Sequence, residues 1–224
     1  IEDEMRRRAA RPEKLSLTDI FWSISTSRLT GDTAGYGQVV PLEHPAHPAL
    51  RLMYHAPIGP VTAPLLPVWL GQHSVPDAYA RHRYLTSGES ARFLDRRKEA
   101  EDPDTVSTVP QGVESAPGAV ETFKRLMHLA FQKPDPILAE VDSHWRHVER
   151  QVAKALPAVR ESARILCDAG RDDLAAGILA EFSHRWFDLA LSDAGALAAA
   201  AHARLRAAGD LNMTPLPLAP PQIW

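Results

Sequence analysis

Residues 50–79, LRLMYHAPIGPVTAPLLPVWLGQHSVPDAY, contain two short apolar runs that are typical of buried strands. The runs lie at residues 50–55 and 65–70, and a turn-rich stretch at 56–60 separates them. Several prolines interrupt the segment, and proline indicates strand edges and bends because it cannot donate a hydrogen bond to a sheet. The segment therefore predicts two strands of a buried sheet with a proline-rich loop on its rim.

A short helix and one more strand are predicted ahead of this segment. Ser16 and Asp19 form a capping-box pattern at the start of a helix that spans about 17–28. Residues 36–40 are strand-like, and they follow the turn residues at 30–35. The strongly charged start of the chain is interpreted as a flexible arm.

The second half of the chain is predicted to be helical. One helix covers residues 120–131, and another begins at Asp135-Pro136, where a first helical turn accepts proline. Pro157 either kinks this helix or starts a new one. Gly170 is a predicted C-cap.

The last predicted helix extends to Gly209 and carries an apolar stripe at steps of three and four residues. The stripe is formed by Leu174, Ile178, Phe182, Trp186 and Leu189. Strands followed by helices indicate an α+β protein rather than alternating βαβ units. The chain thus divides into a flexible arm (1–15), a strand-rich part (16–84), a surface helix and loop (85–118), C-terminal helices (119–209) and a proline-rich tail (210–224).

Composition excludes several classes of function. A net charge of −3 gives no electrostatic reason to expect nucleic acid or an anionic membrane as partner. No apolar run approaches the roughly 20 residues that span a bilayer, and the chain does not start with a secretion signal. A soluble protein is predicted, with the cytoplasm favoured. Since the chain begins at Ile1 rather than at an initiator Met, we expect a processed chain or a start further upstream.

The residues that could carry chemistry are few. Glu140, His144 and His147 share one helix face, but their spacing favours a solvated face over a zinc site. His55 ends a predicted strand and is the histidine best placed to face a site. The single cysteine, Cys167, is predicted to be a small core residue, and one cysteine excludes an internal disulfide framework. Neither a metal nor another cofactor is predicted.

Three groups of segments resemble one known family. Residues 17–21 (LTDIF) look like a short helix that precedes the family's final strands. Residues 36–40, 52–57 and 66–76 look like two of its strands and its "P-[VF]-[YW]-x-G … P" rim. Three helical segments, 145–149, 163–166 and 179–183, look like its closing helices. In this order, residues 16–205 resemble the C-terminal part of the C69-type dipeptidases and related acyltransferases, which are cysteine N-terminal-nucleophile hydrolases.

The resemblance implies a four-layer αββα core and a nucleophilic N-terminal Cys that uses its own α-amino group as the base. This chain departs from the pattern, because residue 1 is Ile and Cys167 does not match the family's nucleophile. The nucleophile is therefore expected outside this chain, on an N-terminal subunit. The expected substrate is a small peptide or N-acyl amide.

The resemblance also implies a set of substrate-binding residues. These are Thr33, Tyr36, Gln38, His55 and Trp69. The alternative function is a non-catalytic helical binding or scaffold domain, in which Trp145 and Trp186 present a groove to a partner.

Overall fold

The structure is a computed structural model that describes residues 2–11, 15–30, 36–80 and 118–211. Its helices and strands are α1 (Glu2–Ala9), α2 (Leu17–Ser25), β1 (Tyr36–Val39), β2 (Leu52–Pro57), β3 (Leu66–Trp69), α3 (Asp77–Ala80), α4 (Ala119–Gln132), α5 (Ala139–Asp168) and α6 (Asp172–Ala208). A 3₁₀ turn, Pro48–Leu50, precedes β2, and a π-helical turn, Pro134–Leu138, joins α4 to α5. The predicted mixture of a strand-rich part and long helices is confirmed.

The three strands form one antiparallel sheet in the order β1-β2-β3. Its register pairs Gln38 with His55 and Leu52 with Trp69. The three predicted strands are confirmed, although β2 begins later than expected because residues 48–50 form the 3₁₀ turn. Side chains alternate between the two faces of a strand, so the register also fixes which residues share a face.

One face of the sheet packs on the helices. Tyr54 and Trp69 lie on it and are only 5% and 2% exposed. The Tyr54 ring meets Phe21 of α2 edge-on, with 4.9 Å between ring centroids. Trp69 belongs to an apolar cluster that includes Ala163 of α5 and Leu179 of α6. The helices thus cover one side of the sheet from end to end.

The connection between β2 and β3 lies inside the protein, not on a rim as predicted. Every residue from 56 to 67 is buried. Two of its backbone polar groups have partners on α5. The Thr62 carbonyl oxygen accepts a hydrogen bond from the Trp145 Nε1–H at 2.8 Å, and the Leu65 N–H donates to Glu149 at 2.9 Å. A loop rich in apolar residues and proline can be buried because it brings few unpaired backbone donors with it.

The start of the chain is helical where the sequence predicted an arm. Arg8 of α1 donates to Asp19 at 2.8 Å, and its guanidinium lies 4.0 Å from the centroid of the Trp22 ring. The predicted capping box at the start of α2 is confirmed, with reciprocal bonds between Ser16 and Asp19. Hydrogen bonds from Ser16 lower the pKa of Asp19 to about 2.

Helix α5 continues through Pro157, so of the two predicted alternatives a new helix at Pro157 is wrong. Pro157 is exposed, so water can solvate the carbonyl oxygen that loses its intrahelical partner. Both predicted glycine ends are confirmed, since Gly170 and Gly209 have φ of 67° and 73°, a conformation that suits glycine.

The predicted stripe of α6 is not its buried face. Leu174 and Leu189 are 47% and 43% exposed. The buried face consists mainly of small residues: Ala175, Leu179, Ser183, Phe187, Ala190, Ala194, Ala198, Ala201 and Leu205. Small side chains let α6 approach α4 and α5 closely, which explains why the larger residues lie to the side. Trp145 is fully buried too, so it does not face a groove as the alternative function predicted.

Some predictions fall on residues outside the described ranges. These are the charged surface helix, the following loop as far as residue 117, and the tail from residue 212. Among the described helices, none is long and apolar enough to cross a membrane.

Candidate functional site

The register of the sheet brings three of the predicted site residues together. Tyr36, Gln38 and His55 lie on the face of the sheet opposite to Tyr54 and Trp69. Gln38 stands directly opposite His55, and the rings of Tyr36 and His55 have centroids 6.2 Å apart. Thr33 lies outside the described residues.

The same face carries apolar residues that the sequence reading did not single out. By strand alternation, Val40, Met53, Val68 and Leu70 belong to it. Val40 is 57% exposed and Leu70 is 69% exposed, while Met53 and Val68 are half-buried. We call this surface the open face: Tyr36, Gln38, Val40, Met53, His55, Val68 and Leu70. The sequence does contain a signal for this face, because every second residue along 36–40 and 66–70 points to the same side of a strand.

The open face has the wrong composition for a surface in water. An antiparallel sheet that is solvated on one side normally shows polar residues there. Here that side is mainly apolar, with Tyr36 64% exposed. Leu66, at the β3 side of the same face, is already fully buried. Such a surface is typical of a sheet that another layer covers.

His55 is the polar centre of the open face. Burial lowers the pKa of its imidazole, so the ring is neutral at pH 7. Its Nδ1 atom is buried and has no hydrogen-bond partner among the described residues. A neutral imidazole can donate through one ring nitrogen and accept through the other. His55 can therefore hydrogen-bond to a group that an additional layer or a ligand brings.

Trp69 lies on the opposite, helix-covered face. It is 2% exposed and packs on Leu50, Ala163 and Cys167. Its Nε1–H is buried without a partner among the described residues. The structure thus separates Trp69 from the three site residues that it brings together, and gives it a place in the core.

The chain's cysteine is not an activated nucleophile. Cys167 is 6% exposed, and burial, followed by the carboxylates of Asp172 and Asp168, raises its pKa. A reactive thiol needs the reverse, a cationic neighbour or a helix N-terminus that lowers its pKa. Cys167 therefore stays a protonated thiol at neutral pH.

One serine and histidine pair lies outside the predicted site. Ser74 Oγ is 3.2 Å from His184 Nε2, but the same nitrogen is 3.1 Å from the Ser74 carbonyl oxygen. If Nε2 donates its proton to that carbonyl, it has no lone pair left to take the hydroxyl proton. No carboxylate hydrogen-bonds to His184 among the described residues. The pair fixes the loop after β3 to α6 and is a poor catalytic dyad.

Two other histidines, His144 and His47, pair with carboxylates, whereas the Nε2 of His147 is 3.5 Å from the side-chain nitrogen of Gln151. His144 lies 2.9 Å from Asp193 of α6, and Glu140 pairs with Arg204 at 2.5 Å, so the predicted helix face is used for helix contacts. His47 lies 2.7 Å from Asp168. In the part of the chain that the structure describes, no group of three or more His, Cys, Asp or Glu is placed to hold a metal ion.

A separate cavity of about 690 Å³ lies between α3, the start of α4 and α6. Asp77, Thr122, Asp188 and Ser192 are among its lining residues. It is widely open. Nothing among its described residues points to a particular ligand.

Comparison with protein-family models, with curated proteins and with solved structures found no match to this chain. Its function therefore has to be inferred from the residues themselves.

Proposed function

We propose that this chain is the C-terminal subunit, or part, of an autoprocessed amide hydrolase or acyltransferase whose Cys nucleophile lies outside it. The substrate would be a small peptide or an N-acyl amide. In this proposal the β1-β2-β3 sheet is part of one of the two sheets in an αββα core. The second sheet would belong to the chain that carries the nucleophile.

The open face is the observation that carries the proposal. An αββα core buries each sheet between a helix layer and the other sheet, so both faces of each sheet must be apolar. Helices pack on one face of this sheet. On the other face Leu66 and Val68 already belong to or pack against the main apolar core, but Val40 and Leu70 are 57% and 69% exposed. A second sheet would cover these residues and reach the unpartnered Nδ1 of His55.

The chemistry of the described residues agrees with a nucleophile from elsewhere. Cys167 is buried with a raised pKa, and the hydroxyl of Ser74 faces a histidine that no carboxylate orients. In the proposed enzyme, the α-amino group accepts the proton of the N-terminal thiol and the resulting thiolate attacks the amide carbonyl. The C–N bond breaks as the proton passes to the departing amine, and water or an acceptor amine then takes the acyl group from the sulfur. Tyr36, Gln38 and His55 would contact the substrate from this chain's side.

The second candidate is a non-catalytic domain that binds a partner through the open face. The same exposed apolar residues favour it, because they mark an interface whatever the partner does. The two candidates differ in one respect, which is whether the partner brings an N-terminal nucleophile.

Purification of the endogenous protein through a tag on this chain tests the proposal. We expect a co-purifying chain whose N-terminal residue is Cys, and hydrolysis of at least one member of a panel of dipeptides and N-acyl amides. An alkylating reagent should abolish this activity. Isolation of the chain with a partner that has no N-terminal Cys, Ser or Thr and with no amide hydrolysis would favour the scaffold function instead.

The variant Cys167→Ala is the matched control for the alkylation experiment. Because Cys167 is only 6% exposed and its pKa is raised, its thiol should react slowly in the folded protein. The C167A complex should keep its activity and remain just as sensitive to alkylation. If C167A is active but resists alkylation, the reagent inactivates the wild type through Cys167 rather than through an N-terminal thiol, and this outcome would contradict the proposal.

A further inference from the structure

Helix α6 exposes apolar residues on the side that faces away from its helix partners. Leu174 and Leu189 are about half exposed, and Ile178 between them is half-buried. Ile165, near the end of α5 where the chain turns into α6, is 54% exposed. These residues share none of their positions with the open face of the sheet. Exposed apolar residues thus occur along α6 as well as on the open face.

Two unpaired charges stand between Ile178 and Leu189 on α6. Glu181 and Arg185 are exposed and one helical turn apart, so they point to the same side of α6. Neither makes a hydrogen bond or an ion pair with another described residue, although many other charged residues on α5 and α6 do. When two copies of such a helix lie antiparallel, the acidic group of each copy can face the basic group of the other.

Gly177 leaves an open space on the surface of α6. A side chain at Gly177 would meet no atom within 4 Å, so the helix surface is open at this point. Gly177 and Leu189 lie at equal distances, four residues, on either side of the Glu181 and Arg185 pair. A protruding leucine and an open glycine at symmetric positions suit an antiparallel contact of two identical helices.

We propose that two copies of this chain associate through α6, antiparallel, with a two-fold axis midway between Glu181 and Arg185. This arrangement places Glu181 opposite Arg185 of the second copy, and Arg185 opposite its Glu181. It also places each Leu189 against Gly177 of the second copy. A two-fold interface uses the same patch twice, so every contact is made in duplicate. Each Leu189 is then covered and both charges are paired.

The self-complementarity of the patch is what selects a second copy as the occupant. An unrelated partner would need no reciprocal order of charges and no leucine and glycine at equal spacing. The surface is independent of the open face, so the dimer can form whether or not another chain covers the sheet.

Native mass spectrometry and sedimentation equilibrium of the full chain, together with any chain that co-purifies, test this inference. We expect two copies of this chain in each particle. Glu181→Arg and Arg185→Glu should each raise the dissociation constant of the dimer by about tenfold or more, because each change replaces two attractive pairs by two repulsive ones. The double variant, which exchanges the two charges, should restore the dimer.

Two further variants separate a direct contact from a folding effect. Lys154→Glu, a charge reversal at an exposed position of α5, should leave the dimer intact. Gly177→Leu should weaken the dimer while the monomer stays folded, since leucine has a higher helix propensity than glycine. A chain that remains monomeric at its highest soluble concentration, or a dimer that the single and double charge variants affect equally, would overturn the inference.

Discussion

Glu149 is the charged residue on which the buried connection between β2 and β3 depends. It is 7% exposed, accepts the Leu65 N–H at 2.9 Å, and pairs with Arg146 at 2.5 Å. Removing the Glu149 side chain leaves the buried Leu65 N–H without its acceptor and leaves Arg146 paired with Asp142 alone, at 3.3 Å. We therefore expect Glu149→Ala to lower the free energy of unfolding by about 1–3 kcal/mol, measured by urea denaturation.

Glu161→Ala is the control for this prediction, because Glu161 lies on the same helix and also pairs with an arginine three residues away, Arg164. That pair is exposed, so water replaces the lost partner. E161A should change the urea midpoint far less than E149A does. Equal effects of the two substitutions would show that the Glu149 contacts contribute no more than a surface ion pair.

The ionisation of Glu149 should make stability depend on pH. Burial raises its pKa from 4.5 to about 7, against the opposing effect of Arg146. The protonated form is thus favoured in the folded protein. The stabilisation is complete below pH 4.5 and is lost as the pH rises to about 7, a total of about 3 kcal/mol.

Glu149→Gln isolates this contribution, since glutamine keeps an oxygen for the Leu65 N–H but does not ionise. The free energy of unfolding of the wild type, relative to E149Q, should fall between pH 4.5 and 7 and stay level above that. Neighbouring Arg146, Asp142 and Arg150 are present in both proteins, so the difference reports mainly on Glu149. A difference that is constant across this range would contradict the raised pKa.

Single residues also show what a sequence can reveal on its own. The bond between Ser16 and Asp19 spans three residues and has a known pattern, so it was predictable. The bond between Leu65 and Glu149 joins residues 84 positions apart. Nothing local in the sequence marks either one as a partner of the other, because only the packing of α5 under the loop brings them together.

At the scale of elements, Gly71 determines how closely the end of β3 approaches the 3₁₀ turn. A Cβ atom on Gly71 would lie 2.5 Å from Ala49 Cβ and 2.8 Å from Ala49 Cα, and the Gly71 N–H donates to the Ala49 carbonyl oxygen at 3.2 Å. Backbone atoms cannot move aside as a flexible side chain would. Gly71→Ala should lower the free energy of unfolding by about 1–3 kcal/mol, measured by thermal or urea denaturation.

Gly195→Ala provides the matched comparison. Gly195 lies within α6, and a Cβ there would meet nothing within 4 Å. Because alanine has the higher helix propensity, G195A should stabilise the protein by about 0.5–1 kcal/mol. Opposite signs for the two glycine substitutions are expected, and a stabilising G71A would show that the 3₁₀ turn can shift.

The elements also show where sequence patterns misled. In α6, the large apolar residues Phe182 and Trp186 suggested the buried side, but close helix packing selects alanines instead. At Pro157, loss of a hydrogen bond suggested a kink or the start of a new helix, but α5 stays one helix because its exposed side tolerates the loss. In both cases the sequence gives the composition of the helix, and the packing against its neighbours decides which side is buried.

At the scale of the whole molecule, the open face should govern assembly rather than folding. Val40 and Leu70 are exposed, so Val40→Lys and Leu70→Lys should change the free energy of unfolding by no more than about 0.5 kcal/mol. Both should, however, reduce co-purification of the partner chain in a pull-down, because a lysine there would be buried against an apolar layer.

Leu42→Lys is the control for these two variants. Leu42 is 92% exposed and lies in the loop after β1, not on the open face. L42K should bind the partner as the wild type does. If all three lysine variants bind equally well, the open face is not the surface that the partner covers.

Strand positions and the helical second half were predictable because both rest on local periodicity. Which side of the sheet stays uncovered was not predictable. The pattern of residues 36–40 and 66–70 shows which residues share a face, but it does not show which face meets the helices. The segregation of Trp69 from Tyr36, Gln38 and His55 follows from the same register. The order of segments along the chain had predicted that all four residues lie near one site, because it carries no information about which face of the sheet each occupies.

The burial of residues 56–67 under α5 also has a consequence during synthesis. The Leu65 N–H receives its acceptor only when Glu149, 84 residues later, has been made. At about 5–20 residues per second, the ribosome needs roughly 4–17 s for that interval. For this time the sheet has emerged without the helix that covers its connecting loop. The nascent chain thus exposes an aggregation-prone apolar segment, and its yield in a cell should depend on chaperones that bind such segments before α5 appears.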